Sequence, residues 1–476
     1  MRRYFVLIIS IVLGALAMAA PKYEMRAVWI TTNWGLDWPK HPATDSRSIA
    51  RQQSDLRAML DEAVSMGLNT VFFQARIRGE VFYASDIEPW SNVVSGTTGK
   101  SPGYDPLEFV IEECHHRGLE CHAWLVTVPA GSVKQVKRQG KTALPVRHPE
   151  LCVKLKGEWY LNPGHPQAAD YVASIAREIA SRYAVDGIHF DYIRYPSESG
   201  NFPDAATYRQ YAPEGISIEA WRIDNITRLV EAASCAIKEV DKSIMVSTAP
   251  LGRYASLGEN PSQGFVCMGG ASQDAVAWLA QGYNDFVAPM IYYKDDNYFP
   301  YVADWQRRVG EQGRVVAGLG AYRMDKSEGN WSPADLDAQI EATRTNAMAG
   351  QAYFRFQHLH DYAALAQLLR EKYYQYPALI PPMRVTDVPT IAPVQELQLH
   401  AGAAANTLTW EPVAGAVRYA VYASPADSVD TTDASQLVAA WVTDCSYILP
   451  TESYRSYAVT AIDAYRRESE PCRLIP

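Results

Sequence analysis

Between residues 185 and 196 the chain reads V-D-G-I-H-F-D-Y-I-R-Y-P. Asp186-Gly187 is turn chemistry. Ile188 and Phe190 are apolar, and the run ends in groups that hold or donate protons: His189, Asp191, Tyr192, Arg194 and Tyr195. Pro196 cannot donate to a strand ladder and marks the exit. This is the pattern of a buried parallel strand with polar groups at its C-terminal end, where barrels and open α/β sheets place their ligands. A carboxylate held there among aromatic rings loses solvation, so its proton affinity rises and it can work as an acid, a base or a nucleophile. Asp191 is the leading candidate. The structural alternative is a carboxylate that only anchors Arg194 or a nearby loop. His189 alternates to the same face as Asp191. It would orient that carboxylate, touch substrate, or fill the interior. Arg194 and Tyr195, in the loop, are candidate substrate contacts.

Other runs bring further chemistry to the same end. Gln74 and Arg76 close F-F-Q-A-R, and strand alternation predicts that they point one way. They suit hydroxyl or carboxylate recognition, or else an interior polar layer. His122 and Trp124 share a face of a third strand, where Trp would stack on a sugar ring and His would hold a hydroxyl. Met290 and Tyr292 share a face of a later strand, followed by Asp295 and Asp296. Two carboxyl groups flanking one bond are the usual equipment for glycoside hydrolysis. Asp295 or Asp296 is the preferred partner for Asp191, and Glu80 is a further acid at the mouth. Asn162, in L-N-P-G-H-P, caps the next helix or faces the site. Trp34, Trp38, Trp90 and Trp159 suit a carbohydrate groove, though each alone reads better as loop packing. His115 and His116 are adjacent on a helix and cannot point together, so no metal is expected, and no cofactor motif is present. No G-x-S-x-G elbow supports a serine hydrolase.

These residues need a scaffold that turns many strand ends toward one place. Apolar strand runs fall at 27–31, 70–75, 121–128, 185–196, 244–248, 286–292, 315–319 and 352–356. Between them lie helical stripes, such as Leu56, Met59, Leu60, Ala63 and Val64 at i, i+3, i+4, i+7 and i+8, closed by Gly67. Eight alternating units over residues 23–372 predict a (β/α)8 TIM barrel of the α/β class. A doubly wound sheet would want a glycine-rich phosphate turn after an early strand, and none is found. Pro- and Tyr-rich residues 373–393 read as a linker. From 394 to 476 the texture becomes period two, with Tyr419-Ala-Val-Tyr422 and Tyr457-Ala-Val-Thr-Ala461 set between turns. This predicts a small all-β sandwich in which Trp410 and Tyr457 are core.

The chain has 476 residues and a net charge of −9, which argues against a nucleic-acid partner. Arg2 and Arg3, an apolar run over 5–16 and Ala17-Met18-Ala19 predict a signal peptide over residues 1–19. After its cleavage no membrane span remains, and the expected location is the periplasm or cell envelope. Seven cysteines are irregularly spaced. Cys114 and Cys121 read as core, and Cys445 with Cys472 is the one pair considered for a disulfide.

Several words of this sequence resemble a known family. They are R-A-V-W-I-T-T-x-x-x-L-D-W-P at 26–39, F-F-Q-A-R with Y-x-S-x-x-x-P-W-S at 72–91, P-G-Y-D-P-L at 102–107, H-A-W at 122–124, L-N-P-G-x-P at 161–166, and D-G-I-H-F-D-Y-I-R-Y-P. In this order they resemble the glycosyl-hydrolase-like family ten, bacterial envelope proteins with a TIM barrel. The resemblance implies glycoside hydrolysis of a polysaccharide or oligosaccharide, in some members of peptidoglycan glycan strands stripped of peptide, with Asp191 as the motif acid. The same strand distantly resembles D-x-x-D-x-D-x-E of family eighteen chitinases, but His189 and Ile193 replace two of its acids. The pattern W-x-P-V-x-G-A-x-x-Y-x-V-Y at 410–422 resembles fibronectin type III domains, which implies a spacer or docking module without catalysis. A non-catalytic glycan-binding or scaffold protein is the alternative reading.

Overall fold

The computed structural model describes residues 20–475 except 198, 259–263, 311–313, 387, 403–404 and 450–453. The expected signal peptide lies outside the described residues. Eight parallel strands form the barrel: β1 (Met25–Ile30), β2 (Thr70–Ile77), β3 (Glu120–Val126), β4 (Gly187–Asp191), β5 (Met245–Thr248), β6 (Phe286–Val287), β7 (Val316–Leu319) and β8 (Gly350–Tyr353). β8 pairs back onto β1, Ala27 opposite Ala352. The seam between β6 and β7 closes through backbone bridges from Val287 to Val315 and from Met290 to Gly318.

β6 is shorter than the 286–292 run expected from sequence. Pro289 has no N–H to give, so the ladder stops there, and pairing resumes only as the bridges of Met290 to Leu251 and Gly318. That close approach needs glycine. A Cβ on Gly252 would stand 2.3 Å from the Met290 carbonyl oxygen, and one on Gly318 2.7 Å from that of Pro289.

The helices that wrap the barrel are α1 (Ser46–Ser65), α2 (Pro106–His115), α3 (Gln167–Arg182), α4 (Ile218–Val240), α5 (Ala275–Ala280), α6 (Phe299–Val309), α7 (Pro333–Thr345) and, after a short helix at Phe356–Asp361, α8 (Ala363–Leu368). Their ends follow from local chemistry. Asp45 caps α1, accepting from Ser48 N–H at 2.8 Å while the Ser48 hydroxyl answers in a capping box. Gly67 leaves α1 with φ 79°, and a Cβ there would meet the Tyr374 Cβ at 2.6 Å. Asp105 caps α2 ahead of Pro106. α6 fills the interval between β6 and β7. It buries Tyr301, Val302, Trp305 and Val309, and Pro300 sits in its first turn, where a missing N–H costs little.

Among its described residues the C-terminal domain has seven strands, β9 (Gln398–His400), β10 (Thr407–Thr409), β11 (Ala416–Ser424), β12 (Leu437–Val442), β13 (Ser446–Ile448), β14 (Ser456–Asp463) and β15 (Cys472–Leu474). They form two antiparallel sheets, β9-β10-β13 and β12-β11-β14-β15. Leu408, Trp410, Val421, Tyr457 and Val459 fill the space between the sheets. Cys445 and Cys472 are free thiols, so the bridge considered from sequence does not form. Cys114 and Cys121 are buried in the barrel, as the sequence suggested, and share a hydrogen bond that pushes the Cys121 thiol well up.

This domain docks on the N-terminal face of the barrel, away from Asp191. Arg466 reaches under the strands: Nε donates to Glu120 Oε1 at 2.9 Å, Nη1 to Ser243 O at 2.6 Å, and Nη2 to Asp186 O at 2.9 Å. Arg418 adds a second donor to Glu120 Oε1 at 3.1 Å. The segment between the domains is packed rather than loose: Leu379, Ile380 and Met383 are buried, and Leu379 pairs with Tyr23 and bonds to Lys22 and Glu24.

Candidate active site

Asp191 is the last residue of β4, at the C-terminal mouth of the barrel. Only 4% of it is exposed. Its Oδ1 accepts the Tyr192 backbone N–H at 2.6 Å, and its Oδ2 accepts the Trp124 indole N–H at 3.1 Å. Arg194 lies close, Nη1 to Oδ1 at 3.8 Å, beyond hydrogen-bond range. Burial pushes the Asp191 carboxyl above the usual carboxylate range, against the pull of Arg194, the Tyr192 N–H and the Trp124 N–H. A carboxyl with raised proton affinity can carry a proton to a leaving oxygen near neutral pH.

Aromatic rings floor this corner. Phe354, just past β8, packs against Trp29 at 6.0 Å, Trp124 at 6.3 Å and Tyr292 at 5.6 Å between ring centres. Tyr322, after β7, meets both Tyr292 at 5.6 Å and Phe354 at 5.8 Å. Burial and the nearby Asp191, Tyr322 and Tyr192 drive the Tyr292 phenol well up, so it stays a neutral donor. Tyr192 stands over the mouth, 44% exposed, with a left-handed backbone at φ 49°. Of the residues expected from sequence, Asp191, Trp124, Arg194 and Tyr292 come together here.

The others lie elsewhere. His189 is fully buried one layer down. Its Nδ1 pairs with Ser247 Oγ at 2.8 Å, its Nε2 accepts from Trp29 Nε1 at 3.2 Å, and its ring stacks on Phe72 at 4.3 Å. Burial, reinforced by His122, pushes its pKa well down, so it is a neutral interior imidazole. His122 lies deeper, beside Glu120 at 3.3 Å. Gln74 spends Oε1 on the Thr31 hydroxyl and on the N–H groups of Thr32 and Asn33, fixing the loop after β1. Arg76 does not point with Gln74. A β-bulge between them sets Gln74 opposite Trp124 but Arg76 opposite Leu125, on the outer face. There Arg76 forks onto Glu88 at 2.6 Å through both Nε and Nη2. Glu80 is buried against Ser91 Oγ at 3.0 Å and Arg138 Nη2 at 2.8 Å. Tyr195 is fully buried against Phe202 at 5.0 Å, with Arg222 over its ring. Asn162 ties its own turn to Thr207 at 2.8 Å rather than capping α3. Asp295 and Asp296 are exposed on the 3-10 turn Asp295–Asn297 that leads into α6, and neither touches Asp191.

Phe354, Tyr322 and Arg323 were not expected as site residues, and Tyr192 was expected only as one of the proton-bearing groups ending its run. All lie just past the end of a barrel strand, and the same rule that picked Asp191 would have found them. Asp37 is a buried acid at the mouth, but Arg355, Gln357 N–H and Thr31 N–H occupy both its oxygens. Among the described residues no cluster of three or more His, Cys, Asp or Glu is placed to hold a metal. Two grooves of about 890 and 910 Å3 lie at the opposite end of the barrel. The first is floored by Arg418 and Arg466, which are committed to Glu120. Barrel enzymes do their chemistry at the other face.

A (β/α)8 barrel with a carboxyl of raised proton affinity at its mouth among stacked rings is the architecture of a TIM-barrel glycoside hydrolase. The chain belongs to the Glycosyl hydrolase-like 10 family, whose model matches residues 24–363. It is similar to "Glycosyl hydrolase YngK" of Bacillus subtilis, 28% identical, over 79% of this chain and 78% of that one. It is similar also to "Glycosyl hydrolase DigH" of Escherichia coli, 30% identical, over 64% of this chain and 76% of that one. Among solved structures, the PgaB (BpsB) glycoside hydrolase domain from Bordetella bronchiseptica aligns with a TM-score of 0.49 at 16% identity, covering 73% of this chain and 99% of that one.

Proposed function

We propose that this glycoside hydrolase is exported and cleaves envelope glycan, with peptide-free peptidoglycan strands as its substrate and Asp191 as its proton donor. One observation carries the assignment of the acid. Burial raises two carboxyls at the mouth, Asp37 and Asp191, but Arg355 and two backbone N–H groups tie Asp37 into its loop, whereas Asp191 faces the aromatic corner, held in one orientation by Trp124 and the Tyr192 N–H. The basic, apolar and small-residue pattern of residues 1–19 supports export. The family resemblance supports the choice of glycan.

In this reading a sugar ring lies over Phe354 and Tyr292, and Asp191 gives its proton to the glycosidic oxygen as the bond to the anomeric carbon breaks. The positive charge that develops on the sugar is met from the other side by a second carboxylate or by a water that it activates. Asp295 and Asp296, three and four residues past Tyr292, are proposed for that part. Where the second carboxylate bonds the anomeric carbon, ionised Asp191 then takes a proton from the water that releases the sugar; where that carboxylate activates the water, it takes the water's proton and Asp191 is reprotonated from solvent.

The test is incubation of purified protein with peptide-free peptidoglycan strands and measurement of new reducing ends. Asp191→Asn should lower the rate about 10^2- to 10^4-fold, the span of a lost general acid. Asp295→Asn and Asp296→Asn, assayed separately, identify the partner. Saccharide binding without turnover by the wild type would establish the non-catalytic alternative.

A further inference from the structure

Arg194 differs from the other deeply buried arginines of this chain. Arg76 is forked onto Glu88, Arg222 onto Asp204 at 2.9 and 2.7 Å, Arg344 onto Glu24, and Arg466 onto Glu120 and two carbonyls. The Arg194 side chain is 10% exposed and sits 3.8 Å from Asp191. Yet its guanidinium donates no hydrogen bond to any described residue, and Nη1 is buried without a partner. It is held flat by the Tyr192 ring, 4.1 Å from its carbon centre. A planar fork of five N–H groups fits a carboxylate edge-on. Stacking orients the fork, and no described residue fills it. A second guanidinium stacks at the far edge of the same aromatic cluster but is partly used: Arg323 lies over Tyr322, 5.0 Å from its ring centre, with Nη1 donating to Glu328 O at 2.8 Å and Nε buried and unpartnered among the described residues.

We propose that Arg194 reads a free carboxylate carried by the sugar beside the scissile bond, so that the substrate class is a glycan of acidic sugars. This rests on the hydrolase reading above and deepens it. A bound carboxylate would neutralise the cation that opposes burial at Asp191, so an acidic sugar would favour the proton-bearing form of the acid that must cleave it. A neutral sugar at the same place would leave the fork unpaired, which is how a site built for a polar group rejects an analogue lacking it. Two kinds of glycan carry such a group. One is a peptide-free peptidoglycan strand, whose lactyl ether ends in a carboxylate once the peptide is gone. The other is a polyuronate, with the carboxylate on the ring itself.

The experiment compares kcat/KM on peptide-free peptidoglycan strands, on the same strands with their carboxyls converted to methylamides, and on polygalacturonate. Wild type should prefer a carboxylate-bearing glycan to the amidated strands by roughly 10- to 100-fold, the factor a charge-assisted hydrogen bond commands, and mainly through KM. In Arg194→Gln the ratio should fall close to one, and Arg194→Lys, which keeps the charge but not the fork, should lie between. Cleavage of polygalacturonate in place of the peptidoglycan strands would support the carboxylate reading and name the ring carboxylate as its source. Equal wild-type rates on native and amidated strands would overturn the proposal while leaving the hydrolase reading intact. That comparison needs no variant to fold. No turnover of any of these glycans would instead sink both.

Discussion

At the scale of single residues, Asp191 is set by two opposed pressures. Burial favours its protonated form, while Arg194, the Tyr192 N–H and the Trp124 N–H favour the charged one. Removing one of the donors tips the balance. In Trp124→Phe the Oδ2 partner is gone, so the carboxyl keeps its proton to higher pH. An acid that must be protonated loses activity as pH rises through its pKa. The alkaline limb of kcat should therefore move upward in Trp124→Phe, with a loss of roughly tenfold or more at the optimum because the indole also positions the carboxyl. A pH–rate profile of the variant beside wild type checks this, and a limb that moves down would reverse the role given to Asp191. The same residue shows what sequence can carry. The end of a parallel strand, one acid and a flanking Trp are legible from type and spacing. That Gln74 is spent on Thr31, Thr32 and Asn33, or Arg76 on Glu88, is not, because those partners are fixed by loops whose course spacing does not reveal.

At the scale of elements, the alternation rule worked until a bulge interrupted it. The extra residue at position 75 turned Arg76 outward and left Gln74 at the mouth. No residue type announces such a bulge here. The helix α6 is different. Tyr298, Tyr301, Val302, Trp305 and Val309 fall at i, i+3, i+4, i+7 and i+11, a readable stripe masked only by Pro300. Gly187 opens β4 and tests the interior packing directly. A Cβ there would stand 2.3 Å from His122 Nδ1, and the imidazole is walled in by Phe72 and Phe286. Gly187→Ala should therefore cost about 1–3 kcal/mol or more, the price of overpacking a barrel layer. Urea unfolding would measure it. A variant as stable as wild type would mean that His122 moves freely, which its buried pairing with Glu120 argues against.

For the whole molecule, the two ends of the barrel have separate tasks, and the second domain serves the end without the chemistry. Its anchor is Glu120, completely buried. Burial alone would raise that carboxyl, but Arg466, His122 and Arg418 outweigh it and hold it well below the usual carboxylate range. A carboxyl so depressed contributes stability that is complete above its unfolded pKa and is lost as pH falls through the folded one. Docking should therefore hold at neutral pH and weaken only in acid. Arg466→Met leaves Glu120 charged and short of its main partner. The expected cost is about 3–5 kcal/mol, that of breaking a buried pair from one side. The double variant Glu120→Gln with Arg466→Met should cost less than the sum of the single changes, because the Glu120–Arg466 pair is lost only once and Arg418 alone is left without its carboxylate. Denaturant titrations of the four proteins give the coupling directly. Because Arg466 and Asp191 sit at opposite ends of the barrel, Arg466→Met should cleave glycan at the wild-type rate at temperatures where it remains folded. A fall in kcat there, with the fold intact, would show that the docked domain shapes the mouth as well as supporting the barrel.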